Sequence, residues 1–145
     1  MGKPYKHGLF PGSFDPITEG HVDIIERACQ LCEKVTVGLF VNPDKNYLFS
    51  TEERIEKIKA AIAHLPMVDV CHSDGMTCKV ALEMGCDVLI RGFRNPADYA
   101  YEAEMAHFNF THAHLPTYIL DATPTLRNVS STAVREALKA KGDLS

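Results

Sequence analysis

No apolar run in the 145 residues of the chain approaches the ~20 that a membrane-spanning helix needs. The opening stretch, Met1-Gly2-Lys3-Pro4-Tyr5-Lys6, lacks the apolar centre of a secretion signal, so the cytoplasm is the expected compartment. A basic surplus is missing too: 15 Lys and Arg stand against 19 Asp and Glu, for a formal net charge of -4. That balance argues against a protein that coats nucleic acid. It leaves room for a few cations that make a local pocket for a small anion. Five cysteines, an odd number, give no framework of paired disulfides.

Other short signals lack the partners they would need. Cys29-Gln30-Leu31-Cys32 has no second C-x-x-C to complete a zinc site. It reads as two small packing residues three apart on a helix face, and Cys71, Cys78 and Cys86 read as packing residues as well. His107, His112 and His114 have no clustered Cys or carboxylate beside them and read as surface or interface residues, so no protein-bound metal is expected. Long linkers, low-complexity tracts and internal repeats are absent. What remains is 46% hydrophobic and 23% charged, the composition of a globular protein. One domain over residues 1–145 is expected.

The pattern within that domain alternates short apolar runs with helix-period segments, the mark of βαβ units and a parallel sheet. Strands are expected ending at His7–Phe10, over Lys34–Val41, Val68–Cys71 and Asp87–Ile90, and over Thr117–Leu120. Between them, helices are expected from about His21, with Val22, Ile25, Ala28, Cys29 and Cys32 on one stripe, and from Ser50, with Ile55, Ile58, Ile62 and Leu65 buried. Ser50 and Glu53 have the spacing of a capping box. Further helices are expected over Thr77–Met84, over Tyr99–Ala113 and after Ser130. The fold class is α/β, a single doubly wound domain with a five-stranded parallel sheet flanked by helices.

Phosphate-friendly groups recur at the ends of the strands. In Pro11-Gly12-Ser13-Phe14-Asp15-Pro16-Ile17-Thr18-Glu19-Gly20-His21, Gly12 permits close backbone approach and Pro16 stiffens the turn. The helix then opens with free N–H groups, a ready anion site, and His21 stands in its first turn. A plain tight turn with a surface histidine is the structural alternative. Asn128-Val129-Ser130-Ser131-Thr132 puts three hydroxyls at another helix start, where they serve equally well as simple caps. Ile90-Arg91-Gly92-Phe93-Arg94 places two arginines after a buried strand, and Lys45 comes after strand two. In open α/β sheets ligands bind beyond the carboxyl ends of the strands, where strand order reverses. If strands one and four flank that point, His21 and Arg91 converge there.

These residues resemble the nucleotidyltransferase superfamily marked by a [HT]-x-G-H loop and a later [IV]-S-S-[ST] helix start, which has a Rossmann-like fold. Within it the chain is similar to the bacterial phosphopantetheine adenylyltransferases over nearly its whole length. The loop from Pro11 to His21 carries the resemblance, with Ser13 where Thr is usual. Pro43-Asp44-Lys45, Phe49-Ser50-Thr51-Glu52-Glu53-Arg54, Leu89-Ile90-Arg91-Gly92-Phe93-Arg94 and Asp98-Tyr99-Ala100-Tyr101-Glu102 come after it in the expected order.

The resemblance implies transfer of an adenylyl group from ATP to 4'-phosphopantetheine, giving dephospho-coenzyme A and pyrophosphate. It implies that Ser13 and Phe14 meet ATP, with Ser13 near the acceptor as well, and that His21 stabilises charge on the α-phosphate. Lys45, Thr77 and Arg91 would hold the phosphopantetheine. Gly92, Phe93, Arg94 and Glu102, with the segment Leu126-Arg127-Asn128-Val129-Ser130-Ser131-Thr132, would line the ATP pocket. The acceptor is already an anionic phosphate, so no general base is required. Catalysis then rests on positioning and charge neutralisation by His21, Lys45 and Arg91, with Mg²⁺ on the triphosphate. A hexamer and feedback by coenzyme A are further expectations from the resemblance.

Two departures stand out. The family usually has an aromatic-containing run before its Ser-Ser pair, where this chain has Thr125-Leu126-Arg127-Asn128. It also usually continues past a Gly-Asp into a further helical tail, whereas this sequence stops at Ser145, two residues after Gly142-Asp143. Rival readings are a related enzyme, adenylating nicotinate mononucleotide or cytidylylating a phospho-alcohol, and a nucleotide-binding regulatory module without catalysis. His21 and the Ser-Ser-Thr run are intact, which counts against the last.

Overall fold

Val35, Val37 and Leu39 have no solvent exposure, and Thr36 between them is equally buried. A strand covered on both faces needs helices above and below it, which is the parallel α/β solution. The computed structural model describes residues 2–140 and shows this arrangement. Strands β1 (Tyr5–Gly12), β2 (Cys32–Phe40), β3 (Val68–Ser73), β4 (Val88–Phe93) and β5 (Thr117–Asp121) alternate with helices α1 (Glu19–Ala28), α2 (Thr51–Ala61), α3 (Thr77–Glu83) and α4 (Pro96–Ala113). A 3-10 turn at Pro124–Leu126 leads to α5 (Ser131–Ala140). The sheet order is β3-β2-β1-β4-β5, and every pairing is parallel.

Alternation along the strands divides the core. Phe10, Val35, Val37, Leu39, Val88 and Ile90 pack with Ile24, Ile25 and Ala28 of α1 and Ile58 of α2. Leu9 and Leu89, paired across β1 and β4, turn the other way to meet Ala81 of α3, Cys86 and Leu115. Each fully buried Leu, Ile or Val contributes about 1.5–3 kcal/mol relative to exposure. The chain winds outward from β1 in both directions, so strand order reverses between β1 and β4. The expected switch point is there.

Several boundaries differ from the sequence expectation, each for a local reason. The helix after β1 stops at Ala28, with Cys29 as its cap, and Cys32 opens β2 rather than continuing the helical stripe. Strand pairing outweighs the helical spacing: the Tyr5 N–H donates to the Leu31 carbonyl at 3.0 Å, and Tyr5 registers with Cys32. The fourth helix starts at Pro96, three residues before Tyr99, because Asn95 accepts the Asp98 N–H at 2.9 Å and proline is suited to a first helical position. Ser50 and Glu53 do form the expected capping box. Ile58 and Ile62 are buried, while Ile55 and Leu65 are partly buried against the same core. Gly142 and Asp143 lie outside the described residues.

Candidate active site

The loop that joins β1 to α1 is held by its own side chains before anything else touches it. Phe14 adopts a left-handed backbone, φ 44°, a conformation that costs a non-glycine residue about 1–2 kcal/mol. Its ring is 2% exposed and packs edge-on against Phe10 at 5.3 Å and His21 at 5.0 Å. Burial of that size offsets the backbone cost. The ring also explains Gly12: a Cβ there would meet Phe14 at 3.0 Å. The close approach at Gly12 thus includes the loop's own aromatic ring.

His21 closes a capping box in the place that Glu or Gln usually takes. Thr18 Oγ1 accepts the His21 N–H at 3.4 Å, and the Thr18 N–H donates to His21 Nδ1 at 3.0 Å. Because Nδ1 is an acceptor, the neutral ring carries its proton on Nε2. Burial, and then the charges of Arg91 and Arg94, lowers the pKa of His21 to about 4. Near neutral pH the residue is therefore an uncharged N–H donor on the cavity wall.

That cavity, about 430 Å³, lies over the β1/β4 crevice. Gly12, Ser13, Phe14 and His21 line it, with Arg91, Gly92, Phe93 and Arg94 at the end of β4. Leu126, Val129, Ser130, Ser131 and Thr132 close the far side. The three hydroxyls all have protein partners: Ser131 Oγ donates to the Pro16 carbonyl at 2.6 Å, Ser130 Oγ accepts the Ala133 N–H at 3.1 Å, and Thr132 Oγ1 accepts from Arg135 at 3.1 Å. The last helix start thus fastens the first loop as well as facing the cavity.

A second cavity of about 330 Å³ shares Pro11, Gly12, Ser13 and Arg91 with the first. Lys45, Thr77 and Glu102 line it, with Phe40, Leu89 and Met105 supplying an apolar body. Arg91 stands between the two spaces, gripped by Glu102 at 2.7 and 2.8 Å and donating to the Pro11 carbonyl at 2.6 Å.

The structure thus brings together Ser13, Phe14, His21, Arg91, Gly92, Phe93, Arg94, Leu126, Val129 and the Ser-Ser-Thr run. It places Lys45, Thr77 and Glu102 around the adjoining space. Glu102 lies beside Arg91 in that second cavity and is not among the residues lining the first. Arg127 turns away, donating to Asp121 at 2.9 Å and to the Arg94 carbonyl at 2.7 Å. Asn128 lines neither cavity. Sequence reasoning does not single out Asp15, Arg54 and Arg135, which brace the loop, although Asp15 and Arg54 lie in motifs that carry the resemblance.

Comparison with known proteins places the chain in a class. Residues 9–137 match the cytidylyltransferase-like family. A solved bifunctional NMN adenylyltransferase/ADP ribose pyrophosphatase from Francisella tularensis superposes with a TM-score of 0.68 at 17% identity, over 94% of this chain and 43% of that one. It shares the fold. Phosphopantetheine adenylyltransferase from Cutibacterium acnes is 43% identical over 137 residues, covering 94% of this chain and 87% of its own. The enzyme of that name from Nautilia profundicola is 40% identical over 144 residues, with 97% and 92% coverage. The chain belongs to the phosphopantetheine adenylyltransferase family.

Proposed function

We propose that the chain transfers an adenylyl group from ATP to 4'-phosphopantetheine, forming dephospho-coenzyme A and pyrophosphate in coenzyme A biosynthesis. The observation that carries this reading is the pair of cavities that share Ser13 and Arg91. One presents main chain, hydroxyls and a neutral histidine over the switch point, as a nucleotide requires. The other joins a cationic end, Lys45 and Arg91, to an apolar body of Phe40, Leu89 and Met105. A phosphate on a long, slender organic arm has that shape and polarity.

In the reaction an oxygen of the acceptor phosphate attacks the α-phosphorus, and the bond to the bridging oxygen of the pyrophosphate breaks. No proton must leave the acceptor oxygen, so the absence of a basic histidine suits the step. His21 Nε2–H would donate to an α-phosphoryl oxygen as charge gathers there. Lys45 and Arg91 would hold the attacking phosphate in line. The lining of the first cavity contains no carboxylate, and no group of three metal-binding side chains occurs among the described residues. Magnesium would arrive as part of the ATP complex, where it would shield the triphosphate.

A hexameric assembly is part of the same reading. Phe108, 46% exposed on α4 and outside both cavities, would offer an apolar contact to a neighbouring subunit. Feedback by coenzyme A, which shares the pantetheine arm, and a cytoplasmic location complete it.

The test is pyrophosphate release from ATP, measured with 4'-phosphopantetheine and, separately, with nicotinate mononucleotide. Release only with the former is expected. Release only with nicotinate mononucleotide would replace the acceptor, and no release with either would remove the activity.

A further inference from the structure

We infer that Asp15 is a positioning residue that sets the place of Lys45, and that Tyr47 and Arg54 complete the mount. The inference rests on the role given to Lys45 in the proposed reaction. Asp15 is 3% exposed, and both of its carboxylate oxygens are directed at another loop. They accept the main-chain N–H groups of Leu48 at 2.8 Å and Phe49 at 2.9 Å. Charge-assisted bonds of this kind are stronger than neutral ones. They join the nucleotide loop to the arch between β2 and α2, the segment that carries Lys45.

The other end of the arch is closed internally. Tyr47 Oη accepts the Asn42 N–H at 2.8 Å, and the Lys45 N–H donates to the Asn42 carbonyl at 3.0 Å. Beneath this sits Arg54, 2% exposed, with its guanidinium 4.0 Å from the centre of the Tyr47 ring. The same group donates to the Ser13 carbonyl at 3.0 Å and to Ser50 and Thr51, so its hydrogen-bond partners are two carbonyls and a hydroxyl. One buried cation therefore touches Ser13 of the first loop and Tyr47 of the second. Two independent ties, Asp15 to Leu48 and Phe49, and Ser13 through Arg54 to Tyr47, fix the distance between the nucleotide loop and the arch.

Asp15 lines neither of the cavities assigned to the substrates. It faces a smaller one with Lys45 and Arg135, the latter 3.9 Å from its carboxylate, and its hydrogen bonds to the arch make Lys45 the route to the acceptor. An ammonium on a flexible stem depends on where its backbone is held, and a displacement of about 1 Å in a reacting assembly costs roughly 10²-fold.

The test is a double-mutant cycle on the steady-state constants of the full chain, comparing Asp15→Asn, Lys45→Ala and the pair. Asp15→Asn should raise the KM for 4'-phosphopantetheine about tenfold while the KM for ATP changes less than about twofold. In the Lys45→Ala background the same change should have no further effect on the acceptor KM. Tyr47→Phe removes one hydroxyl from a residue that also lines the acceptor cavity. If Asp15→Asn does not fold, the effect of Tyr47→Phe on the acceptor KM should likewise vanish in the Lys45→Ala background, whereas a direct contact with the acceptor would persist there. An equal effect with and without Lys45, or equal loss for both substrates, would overturn the positioning role. If Lys45→Ala alone leaves the acceptor KM unchanged, the role of Lys45 in the proposed reaction fails, and the positioning role falls with it.

Discussion

Arg91 and Glu102 meet side-on, Nε to Oε2 at 2.8 Å and Nη2 to Oε1 at 2.7 Å, with the carboxylate almost wholly buried and the guanidinium about one-third exposed. The pair ties the end of β4 to α4 and leaves the remaining face of Arg91 to the shared wall of the two cavities. Glu102→Gln keeps the shape and removes the charge. A fully buried pair broken from one side costs about 3–5 kcal/mol; partial exposure of Arg91 reduces this, to about 2 kcal/mol. Urea denaturation should show that loss with an unchanged m-value.

His21→Ala separates binding from turnover. A neutral donor aimed at a charge that develops only during transfer should lower kcat by roughly 10²–10³, with ATP affinity nearly unchanged. Single-turnover kinetics beside equilibrium ATP binding would check this. Parallel losses in both would assign the imidazole to ground-state binding.

The depressed pKa of His21 has a definite sign in stability. The unfolded chain takes up a proton near pH 6.5, whereas the folded ring resists it until about pH 4. Stability therefore falls as pH drops from 6.5 towards 4, by at most about 1.4 kcal/mol per pH unit from this group. His7, also lowered by burial and then by Lys34, adds a slope of the same sign. In His21→Asn the His7 contribution stays and that of His21 goes. Unfolding free energies from pH 7 to 4.5 should be flatter for the variant, and parallel profiles would contradict the shift.

Thiol chemistry should track burial. Cys32 and Cys86 are pushed up to about 11, mainly by burial. Two units above the ordinary value leave about 100-fold less thiolate at pH 8. Alkylation and then peptide mass analysis should find both unmodified in the native protein and labelled in urea.

The sheet was legible because apolar runs and capping residues act locally. Val35 to Leu39 announce a buried strand, and Ser50 with Glu53 announces a helix start, whatever lies elsewhere. The meeting of His21 with Arg91 was legible one step further on, from the rule that strand order reverses where ligands bind. What stayed hidden depends on partners distant in sequence. Nothing in Thr125-Leu126-Arg127-Asn128 says that Arg127 will turn to Asp121, and the Ser-Ser-Thr run does not disclose that Ser131 is bonded to Pro16. Cys32 misled because helical spacing continued past the residue where pairing with β1 took over.

Three carbonyls of the first loop, those of Ser13, Asp15 and Pro16, are each held from elsewhere: by Arg54 of α2, and by Arg135 and Ser131 of α5. The last two reach back across 120 and 115 positions. During synthesis the strands and their inner helices emerge first, yet the loop after Gly12 gains the last of its clamps only when residue 135 has left the ribosome. An unfinished chain thus contains every strand and still lacks two of the bonds that hold the first loop, which come from a segment made after the whole sheet.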